Sequence, residues 1–155
     1  MHYETVTVGM EVPVLTRGPI NTGHIMRWSA AIENWHPLHY DRRHAVDVDG
    51  LPDVLINGSW KQQILLQMLS EWLAGEGWLF RFGLRYRRMN IPGDTITAWG
   101  KITDRAVRNG FGVVDLSIGL RDQNGVENTE GEATVVLPLR DGPAVPYPFD
   151  PKLIG

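Results

Sequence analysis

Residues 34 to 41 read Asn34-Trp35-His36-Pro37-Leu38-His39-Tyr40-Asp41, and three of these side chains could move a proton or hold a water. An imidazole ordinarily titrates near ~6.5, so a histidine side chain can exchange protons close to neutral pH, and two stand here, His36 and His39. The amide of Asn34 has donors and an acceptor but cannot act as a base at pH 7. It can orient a water; it cannot take a proton from one. Taken alone, His39 has an ordinary alternative as a ring that hydrogen-bonds its own turn. Glu33 is the nearest carboxylate, but neighbours in a helix project about 100° apart, which sends it to solvent or to a cap rather than beside Asn34. Asp41 could orient an imidazole or cap the loop. His36, His39 and His44 with Asp41 do not have the compact helical spacing of a zinc site, and the chain has no cysteine, so no metal is expected.

These residues must be positioned by flanking elements. Asn21 or Thr22 can cap a short helix on which Ile25, Trp28 and Ile32 share a side. That helix ends near Asn34, because Pro37 disfavours helical geometry in the residue before it. From Gly58 to Leu73 the apolar residues Trp60, Ile64, Leu65, Met68, Leu69, Trp72 and Leu73 make one stripe. Lys61, Gln62, Gln63, Gln67, Ser70 and Glu71 take the other side. Gly75 and Gly77 are stop signals. The period then becomes two: Phe80, Phe82, Leu84 and Tyr86 alternate with Arg81, Gly83, Arg85 and Arg87 as in a half-buried strand. Pro92-Gly93-Asp94 turns into a strand over 95–103. Val114 to Leu120 makes the next, Asp122-Gln123-Asn124-Gly125 a hairpin, and Ala133 to Leu139 the last. One long helix followed by successive antiparallel strands predicts an α+β domain whose sheet wraps a helix.

With those elements in order, the 34–41 run resembles the Asp-x-Asn-Pro-Leu-His signature of the MaoC-like (R)-specific enoyl-CoA hydratases. Pro37, Leu38 and His39 match it, while Asn34 fills the Asp position and His36 the Asn position. Gly93-Asp94-Thr95 is similar to the family's Pro-Gly-Asp-Thr turn, and Asn57-Gly58 falls where the family has a glycine opening its central helix. The resemblance implies a single hotdog domain, read here over 1–140, and the proline-rich residues 141–155 read as a tail. It also implies hydratase or dehydratase chemistry on an enoyl or 3-hydroxyacyl thioester without metal or redox cofactor, and an acyl tunnel near a subunit interface, hence a homodimer.

In that chemistry His39 would be base and acid, and Asn34 would position the water. Three arrangements are open: His39 works alone beside Asn34, His36 takes over the second proton role, or the site no longer hydrates. Gly58 would be the oxyanion position, since a glycine at a helix start lets a thioester oxygen approach a backbone N–H. Trp35, inside the motif, would line the acyl pocket. Arg85, Arg87 and Arg88 would bind CoA phosphates, against the plainer reading of a solvated strand face. Two rivals share the fold. One is a non-catalytic acyl-CoA-binding subunit of a heteromer, suggested by the lost Asp. The other is a thioesterase, disfavoured because the only acid within the helix, Glu71, lies near its far end.

At 155 residues the chain suits one domain that buries roughly 70% of its unfolded surface. Its 43% hydrophobic and 21% charged residues are ordinary for a globular protein. The 15 Lys and Arg against 18 Asp and Glu, net -3, give no electrostatic reason for nucleic acid or an acidic membrane as partner. Lack of cysteine excludes disulfides and thiol catalysis and suits a reducing cytosol. The first residues have neither a basic flank nor an apolar core, so a cytoplasmic protein is expected. The tail's prolines withhold backbone donors, which predicts an extended path over the surface.

Overall fold

The computed structural model describes residues 1–154. Strand β1 (Glu11–Arg17) leads into helix α1 (Thr22–Ala31), and a long irregular segment then reaches helix α2 (Gly58–Leu73). Strands β2 (Trp78–Tyr86), β3 (Ile96–Arg108), β4 (Phe111–Arg121) and β5 (Glu127–Pro138) follow. They form one antiparallel sheet in the order β1-β3-β4-β5-β2. No helix among the described residues is long and apolar enough to cross a membrane.

The sheet wraps α2 because alternate residues on its strands are apolar. Ile96, Ala98 and Ile102 of β3, Val114, Leu116, Ile118 and Leu120 of β4, and Ala133, Val135 and Leu137 of β5 are buried in one cluster with Ile64, Leu65, Met68, Leu69 and Trp72 of α2. Each such aliphatic side chain contributes about 1.5–3 kcal/mol by leaving water. Asn21 caps α1 as expected: its side chain accepts from His24 N at 2.9 Å, and its own N–H donates to His24 Nδ1 at 3.2 Å.

Several expectations change. Lys61, placed on the solvent side by its charge, is only 3% exposed. The inward stripe of α2 runs Lys61, Ile64, Leu65, Met68, Leu69, Trp72, and Trp60 stands on its flank, half-buried and stacked on Trp28 with ring centroids 6.2 Å apart. A lysine fits the stripe because its aliphatic stem packs while its ammonium reaches two carbonyls. Strand β3 runs past residue 103 to Arg108, beyond the core-facing part of the sheet, where no apolar alternation marks it.

Phe80, expected on one face with Phe82 and Leu84, lies on the other, because the register shifts between Leu79 and Arg81. Strand β5 begins at Glu127 rather than at Ala133. A further change concerns the tail. Residues 141–154 cross the surface without forming a strand, but the segment does more than lie there. Phe149 and Ile154 bury against Phe111, Val113 and Val136, on the sheet face opposite α2. Phe149 meets Phe80 and Phe111 edge-on at centroid distances of 6.1 and 5.7 Å. Phe149→Ala is therefore expected to lower unfolding free energy by about 3 kcal/mol, the low end for a buried phenylalanine because this cluster lies under a surface strap. A urea midpoint unchanged from wild type would show that the strap carries no stability.

Candidate active site

The site is assembled around the start of α2. Helix α1 stops at Ile32, and Glu33 (φ 53°) adopts the left-handed conformation that turns the chain away, with its N–H on Ala30 O at 3.2 Å. Glu33 is exposed and acts as a terminator. Asn34 N donates to Ser29 O at 2.9 Å, and Asn34 Oδ1 accepts from His36 N at 3.2 Å. That bond takes one of the amide oxygen's two acceptor sites, and the Nδ2 donor makes no hydrogen bond among the described residues.

His36 and His39 occupy the ends of one tight turn, Pro37–His39. His36 Nδ1 accepts from Leu38 N at 3.4 Å, a capping geometry. The two imidazoles meet edge-on with centroids 6.4 Å apart. Leu55 fastens this turn to α2: its N–H donates to Leu38 O at 3.0 Å, and its carbonyl lies 2.8 Å from His39 Nδ1. A carbonyl can only accept, so Nδ1 carries the proton and Nε2 keeps its lone pair. Burial holds His39 below its ordinary pKa against the opposing pull of the Leu55 bond, with nearby His36 lowering it further. His39 is therefore a neutral base at neutral pH. Asp41 accepts from His44 N at 3.1 Å and so caps the next turn, while His44 Nε2 faces Asp49 at 3.5 Å, away from the other imidazoles.

Gly58 opens α2 two residues past Ile56, whose N–H is held by Asn90 O at 2.9 Å. Asn57 stands at the capping position but makes no side-chain cap. Its amide pairs instead with buried Ser29 Oγ, at 3.3 and 3.1 Å, locking α1 to α2. Ser59 Oγ accepts from Trp28 Nε1 at 3.0 Å. The first-turn N–H groups of α2 are thus left without a side-chain cap, as an anion-stabilising helix start requires.

Two residues not foreseen as part of the site pack behind it. Tyr86, the last residue of β2, donates its hydroxyl to Gly58 O at 2.7 Å. A Cβ on Gly58 would lie 3.1 Å from Tyr86 Cε2 and Cζ, so a glycine here lets the phenol ring approach this closely without shifting. Lys61 Nζ donates to Arg88 O at 2.9 Å and Asn128 O at 3.2 Å, and lies 5.6 Å from the centroid of Tyr86. Burial lowers its pKa to about 8, opposed by Asp94. The signal in the sequence was position: Lys61 lies three and four residues before Ile64 and Leu65, inside the core stripe.

The remaining expected residues lie around this centre. Trp35 is 55% exposed on the loop, and its carbonyl accepts from Tyr40 Oη at 2.9 Å. Arg87 forms an ion pair with Glu130, and that hydrogen bond holds the Glu130 carboxyl below its ordinary pKa. Arg85 and Arg88 are exposed and make no ion pair among the described residues. Glu71 is exposed and accepts from Gln67 Nε2 at 2.8 Å, at the end of α2 remote from His39.

Residues 14–92 match the family described as hydroxyacyl-thioester dehydratase type 2. No curated protein matches the chain by sequence. Among solved structures, the chain is similar to the (R)-hydratase from A. caviae involved in PHA biosynthesis, with a TM-score of 0.75 and 23% identity over 87% of this chain and 99% of that one. It is similar to a chain of the ChsH1-ChsH2 complex from Mycobacterium tuberculosis, with a TM-score of 0.73 and 21% identity over 86% and 99% of the two chains. A MaoC-like dehydratase from Rhodospirillum rubrum gives a TM-score of 0.78 and 18% identity over 90% and 98%. At these identities the likeness shows the fold, which is the hotdog.

Proposed function

Because the chain belongs to the hydroxyacyl-thioester dehydratase type 2 family, we propose that it hydrates an enoyl thioester, or dehydrates the corresponding 3-hydroxyacyl thioester, with His39 as the proton-transfer group. The observation that carries this reading is the His39–Leu55 bond, which leaves Nε2 as a free base on a turn fastened next to the uncapped start of α2. In the hydration direction Nε2 takes a proton from water as its oxygen bonds the β-carbon. The π electrons move to the thioester oxygen, which the N–H of Gly58 stabilises as an enolate. The protonated imidazole then gives its proton to the α-carbon, and the thioester carbonyl re-forms. Asn34 holds the water through Nδ2. Trp35 borders the acyl group, and Arg85 and Arg88 are better placed than Arg87 to meet CoA phosphates, since Arg87 is paired with Glu130. The purified chain should consume crotonyl-CoA or a branched enoyl-CoA, followed as loss of conjugated absorbance; no turnover across a panel of enoyl thioesters would remove this assignment.

One observation favours a second reading. Asn34 stands where the MaoC signature has its carboxylate, and one similar structure is a complex of two named components. A non-catalytic acyl-CoA-binding subunit would bind enoyl-CoA without consuming it and gain activity only with a partner hotdog chain. Self-association is the simpler arrangement. Strand β2 is a nine-residue sheet edge whose outer backbone groups have no strand partner among the described residues, and such edges are ordinarily covered. Light scattering at micromolar concentration should give the mass of a homodimer; a monodisperse monomer would contradict it.

A further inference from the structure

Tyr86 and Lys61 meet at the start of α2, and both spend their polar heads on backbone carbonyls. The hydroxyl of Tyr86 donates to the carbonyl of Gly58 at 2.7 Å. That carbonyl and the N–H of Ser59 belong to one peptide group, so a bond to the oxygen draws density from the nitrogen and makes the N–H a stronger donor. Ser59 Oγ is engaged separately, accepting from Trp28 Nε1 at 3.0 Å. Lys61 is one turn further along the helix. Its ammonium anchors on Arg88 O and Asn128 O, the chain just after β2 and the start of β5, and lies 5.6 Å from the Tyr86 ring centroid.

We propose that Tyr86 and Lys61 are positioning residues that brace and polarise the Gly58–Ser59 peptide, so that Ser59 N–H joins Gly58 N–H as a second donor to the enolate oxygen. This rests on the hydratase reading above and deepens it. The local geometry permits such a brace, since Gly58 has no Cβ, which lets the phenol ring close on the first turn, and the lysine stem fills the core stripe beneath it. The phenol's pKa is raised by burial, so it keeps its proton to donate, and Lys61, at about 8, is charged at neutral pH. A buried cation near the helix start adds to the field that favours negative charge there.

Tyr86→Phe removes the donor and keeps the ring. With crotonyl-CoA as probe it should lower kcat about 10-fold and move KM less than 2-fold, because the lost interaction strengthens only as the enolate forms. The Ser59 amide proton should shift upfield in the nuclear magnetic resonance spectrum of the free variant, a readout independent of turnover. Lys61→Met should lower kcat in the same sense, with Lys61→Arg recovering part of it. If wild type turns over and Tyr86→Phe matches it in kcat, or if the Ser59 resonance does not move, the brace is wrong while the hydratase assignment stands. If wild type is inert toward enoyl thioesters, the hydratase assignment falls and the brace with it.

Discussion

His39→Ala should lower turnover of an enoyl-CoA at least ~100-fold, the scale expected for a positioned general acid–base group. The ring does what no other group at the turn can do. Leu55 O fixes the proton on Nδ1, burial keeps the ring neutral, and Nε2 is left as the base. The lowered pKa also sets the pH dependence. Activity that requires neutral His39 should persist as the pH falls past ~6.5, the ordinary imidazole value, and be lost only at the lower pKa of the folded protein. A rate profile breaking above pH ~6.5 on its acid side would assign the base elsewhere.

Substitutions at the neighbouring positions separate the remaining roles. Asn34→Ala should cost less than His39→Ala, since only water orientation is lost. Asn34→Asp should raise activity, because one carboxylate oxygen can still accept from His36 N and the other faces the water in place of the amide donor. His36→Ala has a structural component, as His36 Nδ1 accepts from Leu38 N within the turn. If it nevertheless matches His39→Ala in kcat while His39 stays anchored, His36 has taken over the second proton role. If His39→Ala, Asn34→Ala, Asn34→Asp and His36→Ala all leave a measurable activity unchanged, the acyl-binding subunit is the better reading.

Helix α2 is readable to its terminal residues because its stripe recurs at helical spacing and glycines follow it. The sheet is readable where core-facing residues alternate, as on β4, but not through β2, where a register shift between Leu79 and Arg81 puts Phe80 on the far face with Phe149 while Phe82 and Leu84 face the core. What cannot be read follows from long-range contact. The bond between His39 and Leu55 joins residues 16 apart, and no spacing rule announces it. Lys61 is assigned to solvent by its charge, although its place in the stripe outweighs its head group once two carbonyls are available to receive it. Tyr86 reads as one more inward strand residue, yet it is 49% exposed and spends its hydroxyl on the helix start. Asn57 precedes Gly58 with a side chain suited to capping, yet its amide is drawn to Ser29, 28 residues away, and leaves the helix uncapped.

Gly58→Val should lower turnover ~100- to 1,000-fold, the range seen when an oxyanion donor is lost, in a protein whose circular dichroism remains native. Two physical causes act together. A branched side chain at the first turn stands between the thioester oxygen and the helix-start N–H groups. It also pushes on Tyr86, whose ring carbons lie 3.1 Å from where the new Cβ must go. The ring is half exposed at the end of β2 and can swing outward, so the displacement should not unfold the chain. The causes separate in a Tyr86→Ala background, where the space behind Gly58 is open. If blocked approach dominates, adding Gly58→Val to Tyr86→Ala should still cost at least ~100-fold. If displacement of Tyr86 dominates, the second substitution should cost almost nothing, because the ring it would have moved is gone and the double variant already lacks the brace. A folded Gly58→Val protein with wild-type kcat would remove the start of α2 from the mechanism altogether, leaving His39 without the donor that its chemistry needs at the thioester oxygen.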